Sequence, residues 1–600
     1  MSFIYRLFYY SPALDKIYFH PLRKWCYGAI LMWGDSMAYF LKKTKTKDRI
    51  YLQIYESFYD PKKNGTAHRS IKPLGYTDNL KAKGINDPIQ YFQNEVDKLN
   101  EERKASSVKL ISDISPERFL GYFPLKSILE SLNIEPLVNL FRYSTDFQFD
   151  LYDVLSSLIF ARSVNPCSKF KTFHEVLPSL FQEHSFSYDQ LMQALCFFGN
   201  DYEKFIDMFN DQVSKKYVIH TDITYFDCTN FYFEIDREDS FRKKGPSKEN
   251  RRDPIVGLGL LLDANQIPIG MKMYPGNESE KPVLRNIVNE LKEKNHIQGK
   301  TIQVADKGLN CAKNIYSAKE NGDGYLFSKS VKQLPETEKT WVLLKNGYSE
   351  IKDKNGSTLY WWKECVDKFP YDYTDDKGKK HRFELTEKRV VTFNPSLAKK
   401  KKYEINKMVE KAKGLSAAMA KRSEYGESAK YVSFKSTSKG KTTDDKVKAV
   451  IDEEAIENDL QLAGYNLLVT SETKANAKDI YSTYHNLWRI EESFRIMKTD
   501  LDARPVFVQK EDSIKGHFLI CYLTVLLERI FQFKVLKNQY SSSEIFKFLK
   551  DFKVVDTNGK YINVSVSTPF LKDLAKSTGL PLDHYSLTSR QINKVLNHKF

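Results

Sequence analysis

The sequence predicts an α/β protein built on a mixed sheet that is covered by helices. Three β-prone runs follow one another between residues 217 and 276: YVIHTDITYFDCTNFYFEI, DPIVGLGLLLD and IPIGMKMYPG, with a turn at Asp263–Asn265 between the last two. A helical pattern at KPVLRNIVNELKEKN, a strand at TIQVADKG and a second helix at NCAKNIYSAKEN complete the order βββαβα. That order is typical of a mixed sheet packed against helices, and it places Asp306 just past the end of a strand.

Composition and charge narrow the class of protein. With 600 residues, 41% of them hydrophobic, the chain is long enough for about three or four domains or subdomains. The formal net charge of +16 favours a polyanionic partner, since Lys and Arg side chains neutralise phosphate groups. The seven cysteines show no CxxC pair and no Cys/His ligand spacing, which argues against a zinc site and favours a reducing cytoplasm. No apolar run reaches the roughly 20 residues of a membrane helix; the best candidate, FLICYLTVLL at 518–527, predicts a buried helix.

Three parts are expected upstream of the sheet. Residues 1–36 are aromatic-rich without periodicity and are expected to be an upstream extension, with Met37 as the natural start. Residues 37–105 predict a β-hairpin module around the Asn64-Gly65 turn, followed by a charged helical connector. Residues 106–215 show several helical patterns and predict a helical subdomain, which is either purely structural or DNA-binding, because no recognition-helix motif decides between the two.

The core, whose first part spans residues 216–330, is interrupted by residues 331–464. This insertion contains β-rich segments, a helix opened by Asn394-Pro395 and a lysine-rich stretch with fifteen Lys and Arg against six Asp and Glu between 399 and 448. The stretch is either a solvated helix face or a contact for the DNA backbone. The strand YNLLVTSE returns the chain to the core at 465–540, and residues 541–600 predict a C-terminal region opened by the capping pair Ser541-x-x-Glu544.

Residues 480–505 predict one amphipathic helix with an unusual polar face. At about 100° per residue, five side chains fall within about 80° of one another: Tyr484, Trp488, Glu491, Arg495 and Lys498. An apolar stripe beside them, which must pack on a core, is formed by Leu487, Ile490, Phe494, Met497 and Leu501. The polar face is either a solvated face with ordinary ion pairs or one that presents Glu491 to a metal ion or a phosphate.

Three carboxylates would converge if the sheet and this helix belong to one core: Asp227 on a strand, Asp306 at a strand end and Glu491 on the helix. Such a group repels itself unless a cation neutralises it, and Mg²⁺ prefers oxygen ligands. The arrangement therefore predicts a two-metal phosphoryl-transfer site. Asp222 is a rival for the first carboxylate and Glu492 for the last; Asp222 and Asp227 face opposite sides of a regular strand, so only one of them can join the group.

The sequence resembles the DDE transposases of bacterial insertion sequences, in the group marked by a Y-R-E-K helix and a β-rich insertion. The resemblance covers roughly residues 37–540, and it is carried by five motifs: YFDCTNFYFE at 225–234, KGPSKENRRDPIVGLGLLLD at 244–263, YPGN at 274–277, VADKGL at 304–309 and YHNLWRIEESFRIMK at 484–498. It implies a ribonuclease-H-like core, with Asp227, Asp306 and Glu491 as catalytic metal ligands.

The same resemblance implies how DNA is held. Tyr484 and Lys498 would hold the terminal phosphates, and Lys248, Arg251 and Arg252 are either contacts for the nearby backbone or plain surface charge. The family's Arg position, three after the Tyr, holds Leu487 here, so that Arg489 or Arg495 would have to substitute. By the helical arithmetic above, Arg495 is the better placed of the two.

The predicted function is that of a magnesium-dependent DNA transposase, with two ions bound and Mn²⁺ as a possible substitute. It would bind terminal inverted repeats, hydrolyse phosphodiesters at the element ends and join the freed 3′ hydroxyl to target DNA. The resemblance also implies a homodimer in the synaptic complex and a cytoplasmic, nucleoid-associated protein without a membrane partner. The alternatives are a stand-alone metal-dependent nuclease and a transposase-derived DNA-binding regulator with impaired catalysis.

Overall fold

The structure is a computed structural model that describes residues 36–60, 65–106, 115–246, 252–352, 354–375, 377–418, 420–435, 448–557 and 559–600. The chain divides into two compact units, Met1–Asp113 and Ile114–Phe600. The expected extension at residues 1–36 lies outside the described residues except for Ser36, and so do Lys248 and Arg251.

The first unit contains a three-stranded antiparallel sheet, where the sequence predicted a hairpin. Its strands and helices are β1 (Ser36–Thr46), β2 (Arg49–Asp60), β3 (Gly65–Tyr76), α1 (Thr77–Ala82) and α2 (Pro88–Ser106). The additional strand is β1, which pairs with β2 from Arg49 to Phe58. The alternation of β2 explains the packing, because Leu52 and Ile54 are buried on one face, where Leu80 and Phe92 of the helices cover the sheet.

The second unit begins with a short strand and a group of helices, as the helical patterns predicted. Its elements are β4 (Glu117–Phe119), α3 (Phe123–Ser131), α4 (Glu135–Phe141), α5 (Leu151–Val164), α6 (Lys169–Lys171), α7 (Tyr188–Asn200) and α8 (Tyr202–Lys216). Local sequence fixes the helix starts: the Asp150 side chain accepts from Asp153 N at the start of α5, and Ser187 forms a capping box with Gln190 at α7.

A mixed sheet follows, and the predicted α/β class is confirmed. Its first elements are β5 (Ile223–Tyr232), β6 (Ile255–Leu262), β7 (Pro268–Pro275), α9 (Lys281–Glu293), β8 (Ile302–Ala305), α10 (Ala312–Glu320) and β9 (Gly324–Lys329). These strands lie in the order β7-β6-β5-β8-β9, antiparallel from β5 to β7 and parallel from β5 to β9. The two parallel connections run through helices, as such crossovers require.

The β-rich insertion extends this sheet. Its elements are α11 (Glu336–Leu343), β10 (Ser349–Lys352), β11 (Thr358–Thr374), β12 (Lys380–Phe393), α12 (Pro395–Ala417), β13 (Val432–Lys435), β14 (Lys448–Ile451) and α13 (Glu453–Leu462), and β15 (Tyr465–Thr470) follows. β15 pairs antiparallel with β9 on one side and with β12 on the other, which gives a nine-stranded sheet, β10-β11-β12-β15-β9-β8-β5-β6-β7. As predicted, α12 opens at Asn394-Pro395, where the Asn394 side chain accepts from Leu397 N.

The remaining elements are mostly helical: α14 (Ala477–His485), α15 (Trp488–Arg495), α16 (Glu511–Ile530), α17 (Ser542–Asp551), β16 (Lys553–Asp556), β17 (Lys560–Asn563), α18 (Pro569–Thr578), β18 (Ser586–Thr588) and α19 (Ser589–Leu596). α16 is the predicted buried helix, and the predicted Ser541–Glu544 capping box opens α17. Strands β16 to β18 form a second sheet with β4. Among the described residues, no helix is long and apolar enough to cross a membrane.

Candidate active site on the central sheet

Asp227 and Asp306 lie side by side on adjacent parallel strands. The pairing of β5 with β8 sets Phe226 opposite Ala305, so that the next residue of each segment is an aspartate. Neighbouring strands are about 4.8 Å apart, and paired residues of parallel strands project from the same face. Both side chains are partly exposed. The register therefore brings two of the three predicted carboxylates together.

Asp222, the rival for the first carboxylate, lies at the other end of these strands. Its carbonyl oxygen accepts a hydrogen bond from Ile302 N, at the first residue of β8, over 2.8 Å. Five residues of extended chain, or about 16 Å, separate it from Asp227. Asp222 is thus at the opposite end of β8 from Asp306, and the geometry favours Asp227 as its neighbour.

The face of the sheet that carries these aspartates is covered by the helices that contain the remaining candidates. Tyr225 and Phe231, which alternate in phase with Asp227 along β5, belong to the same core cluster as Ile490 and Phe494 of α15. Phe226 and Cys228, in the opposite phase, belong to the core on the other face. α15 therefore packs directly on the face that carries the two aspartates.

Tyr484 of α14 contacts the aspartate pair directly. Its phenol O–H donates to Asp306 Oδ1 over 3.0 Å. Burial raises the pKa of Tyr484 above its usual value, and the negative charges of Asp306 and Asp227 raise it further. The phenol consequently remains a hydrogen-bond donor at any physiological pH. The sequence suggested a phosphate contact for Tyr484 but gave no sign of this bond, which depends on how α14 meets the end of β8.

The prediction of a single helix over residues 480–505 is wrong. α14 ends at His485, α15 begins at Trp488, and a π-helical turn at Ile496–Asp500 follows. Leu487 N bonds to Tyr484 O at 3.0 Å, so the chain tightens to i,i+3 hydrogen bonds at this break. The Asn486 side chain hydrogen-bonds to the phenol of Tyr225, an interaction that holds the break against β5.

Glu491 and its neighbour Glu492 lie in different environments. Glu491, in the first turn of α15, is exposed and makes no hydrogen bond or ion pair within the part of the chain that the structure describes. The Glu492 carboxylate instead accepts from the guanidinium of Arg529 at 3.1 Å, and Arg529 is fully buried in α16. The Glu492 side chain is therefore held by the buried Arg529, whereas the exposed carboxylate of Glu491 is available to a ligand.

Arg529 belongs to a buried polar cluster beneath α15 that the sequence analysis missed. Besides Glu492, its guanidinium donates to Ser493 Oγ, Gln532 Oε1 and Ser542 Oγ. Glu528 is also fully buried, and burial raises its pKa to about 7 although Arg529 opposes the shift. The sequence does contain a signal for the cluster, because two charged residues follow directly on the largely apolar run at 518–527.

The three basic candidates for phosphate contact on this segment have different environments. The Lys498 ammonium lies 5.4 Å from the ring centroid of Phe231, which is on the same face of β5 as Asp227. Arg495 is exposed and forms an ion pair with Asp500 at 3.1 Å. Arg489 is partly buried between the rings of Trp488 and Phe533, and burial lowers its pKa. Of the two arginines, only Arg495 is thus presented outward.

Leu487, at the position of the family's arginine, is 7% exposed and belongs to the main core. Its side chain supports the packing of α15 and offers no phosphate contact. Trp488 beside it is 52% exposed. Arg252 is exposed, and the adjoining Lys248 and Arg251 lie outside the described residues.

The aspartate pair fits a divalent cation in its chemistry. Carboxylate oxygens are the ligands that hard cations such as Mg²⁺ prefer, and the in-register pair offers them from one place. Among the residues that the structure describes, no group of three or more His, Cys, Asp or Glu side chains is arranged to hold a metal ion. Glu491 lies on the helix that covers the aspartate face, but among the described residues it does not form a compact three-carboxylate group with Asp227 and Asp306.

Comparison with known proteins identifies the family. No curated protein matches the chain. Residues 221–527, just over half of the chain, match the family described as the transposase DDE domain. The match begins immediately before β5, includes Asp227, Asp306 and Glu491, and ends within α16. The chain therefore belongs to the transposase DDE domain family.

Proposed function

We propose that the protein is a DNA transposase of a bacterial insertion sequence that cuts element ends and joins them to target DNA. The observation that carries the proposal is the register of β5 and β8, which sets Asp227 beside Asp306 on the face covered by α15. Membership of the DDE family supports DNA phosphoryl transfer as the chemistry. The Y-R-E-K spacing of Tyr484, Glu491 and Lys498 supports the subgroup, with Leu487 as the departure.

Asp227, Asp306 and Glu491 would hold the divalent cations, by preference two Mg²⁺ ions with Mn²⁺ as a substitute. Bound there, the cations supply an activated water or 3′ hydroxyl and neutralise the charge on the leaving oxygen. Glu491 is exposed on α15, the helix that already covers this face, so its carboxylate would be open to a cation that binds together with DNA.

The basic side chains of the same segment would position the DNA. Lys498 lies above the ring of Phe231 on the aspartate face of β5, and Arg495 is exposed at the end of α15, so both would be open to phosphate groups. Tyr484 remains protonated, and its single O–H would donate to a phosphate oxygen in place of Asp306. Lys248 and Arg251 would add contacts to the backbone. A homodimer would bring two such sites to the paired ends.

The test compares four variants of the full chain on linear DNA that carries the sequences flanking its own reading frame. Asp306→Asn and Asp227→Asn should abolish Mg²⁺-dependent cleavage and leave DNA binding intact. Asp222→Asn is the matched control, because that exposed aspartate lies at the opposite end of β8 from Asp306, and it should cleave like the wild type. Glu491→Gln should also abolish cleavage. Cleavage by Asp306→Asn would refute the proposal.

A second assay separates transposition from simple nuclease activity. Pre-cut ends with a free 3′ hydroxyl are mixed with the protein, Mg²⁺ and a supercoiled target plasmid. A transposase joins the ends to the plasmid and yields a higher-mass product. Cleavage of uncut DNA without any joined product would favour the stand-alone nuclease.

A further inference from the structure

The first unit has one face of its sheet that no described helix or strand of that unit covers. Opposite residues of an antiparallel pair share a face, so Leu41, Leu52 and Ile54 define the side packed on α1 and α2. The other side carries residues from all three strands: Phe40, Lys42, Tyr51, Gln53, Tyr55, His68, Ser70 and Tyr76. These residues form the open face of the sheet.

Charge is unevenly distributed between the two sides of the unit. The segment 42–49, which forms the end of β1 and the turn into β2, has five Lys and Arg and one acidic residue, and all eight residues are exposed. The helical segment 77–106 has five Lys and Arg against six Asp and Glu. The end of the β1–β2 hairpin is therefore strongly basic, whereas the helical side is close to neutral.

The aromatic rings of the open face are arranged to present cations. The Lys42 ammonium lies 4.4 Å from the ring centroid of Tyr55, and the Arg49 guanidinium lies 5.2 Å from that of Tyr76. The rings also contact each other, with centroids 5.0 Å apart for Tyr51 and Tyr76. Because a cation covers one face of Tyr55 and one face of Tyr76, these two rings offer less surface for stacking on unpaired bases.

We propose that the open face and the basic β1–β2 turn bind duplex DNA. The outer strands of a three-stranded sheet lie about 10 Å apart, which is comparable with the roughly 12 Å width of the major groove. Gln53, on the central strand, is half-buried in the middle of the face, and it carries both a donor and an acceptor. The surrounding lysines would contact the phosphates on either side. This inference rests on the proposed function, in which the chain must hold DNA ends.

The first experiment measures the salt dependence of binding by the full chain to a duplex, in EDTA so that no cleavage occurs. The double variant Lys42→Gln/Lys47→Gln should reduce the magnitude of the slope of log K against log salt concentration by about 2. Each lost phosphate contact reduces that slope by about 0.9. The matched control is Lys81→Gln with Lys98→Gln, two exposed lysines on the helical side, which should keep the wild-type slope. An unchanged slope in the first variant would overturn the proposal.

The second experiment places a negative charge at the centre of the open face. Gln53→Glu should weaken duplex binding at least tenfold at physiological salt, while Gln90→Glu on the exposed side of α2 should leave it unchanged. Equal affinity of the two variants, or wild-type binding that is tighter to a single strand than to the duplex, would also overturn the proposal. The assays need no catalysis, so absence of cleavage by the wild type would refute the transposase function and leave this result standing.

Discussion

Glu528 should make the stability of the second unit depend on pH. Its carboxyl group is fully buried in α16, with Oε2 3.8 Å from Arg529 Nε. Burial raises its pKa from 4.5 to about 7. Between these two values the folded protein holds a proton that the unfolded chain has released. The Glu528 contribution to the free energy of unfolding therefore falls as pH rises through this window, and the loss is complete above pH 7.

The size of the effect follows from the shift. A difference of roughly 2.5 pKa units corresponds to about 3 kcal/mol, since each unit is worth about 1.4 kcal/mol. Glu528→Gln keeps the shape of the side chain and removes the charge. The variant should therefore be more stable than the wild type by up to about 3 kcal/mol at pH 8. Below pH 4.5, where Glu528 is protonated in both states, the difference should vanish.

Urea unfolding of both proteins at pH 5, 6, 7 and 8 measures this directly. The expected result is a stability difference that grows steadily with pH. Glu293→Gln, at an exposed position at the end of α9, is the control and should stay within about 0.5 kcal/mol of the wild type throughout. A Glu528→Gln variant whose advantage is the same at pH 5 and pH 8, or that is less stable at pH 8, would refute the reasoning.

Three further predictions concern the same unit. Arg529→Met leaves the carboxylates of Glu492 and Glu528 without their buried cation and should lower the free energy of unfolding by about 3 to 5 kcal/mol, measured by urea unfolding. Leu487→Arg restores the family's residue but puts a charge into the core, so it should reduce thermal stability without raising cleavage. Replacing the exposed lysines at 399–402 of α12 by Gln should flatten the salt dependence of DNA binding, and an unchanged slope would remove them from the interface.

The fold of the core could be predicted because each strand has a strong local signal. β6 is buried along its whole length and reads as a continuous apolar run, and the order βββαβα indicates a mixed sheet. The continuation of the sheet into the insertion could not be predicted in the same way. It depends on Phe393 of β12 pairing with Tyr465 of β15, residues separated by two helices and a small hairpin.

The sequence predicted one helix over residues 480–505, and the break between α14 and α15 has a cause that hydrophobic periodicity does not show. Leu487 and Ile490 keep the spacing of an apolar stripe, so the pattern continues across the break. Asn486 is the interrupting residue, and its partner is the phenol of Tyr225, which is distant in the sequence. The division of one apparent helix into α14 and α15 is therefore a consequence of packing on β5.

The choice between Glu491 and Glu492 shows how the buried cluster bears on the proposed site. Consecutive residues of a helix point about 100° apart, so the burial of one directs the other outward. The guanidinium of Arg529 donates a hydrogen bond to the Glu492 carboxylate at 3.1 Å and another to Ser493 Oγ at 3.2 Å. These two hydrogen bonds fix the rotation of α15 about its own axis. With that rotation fixed, Glu491 is turned out of the core. A change at Arg529 should therefore impair cleavage through Glu491 even where DNA binding survives, because the helix loses the bonds that set its orientation.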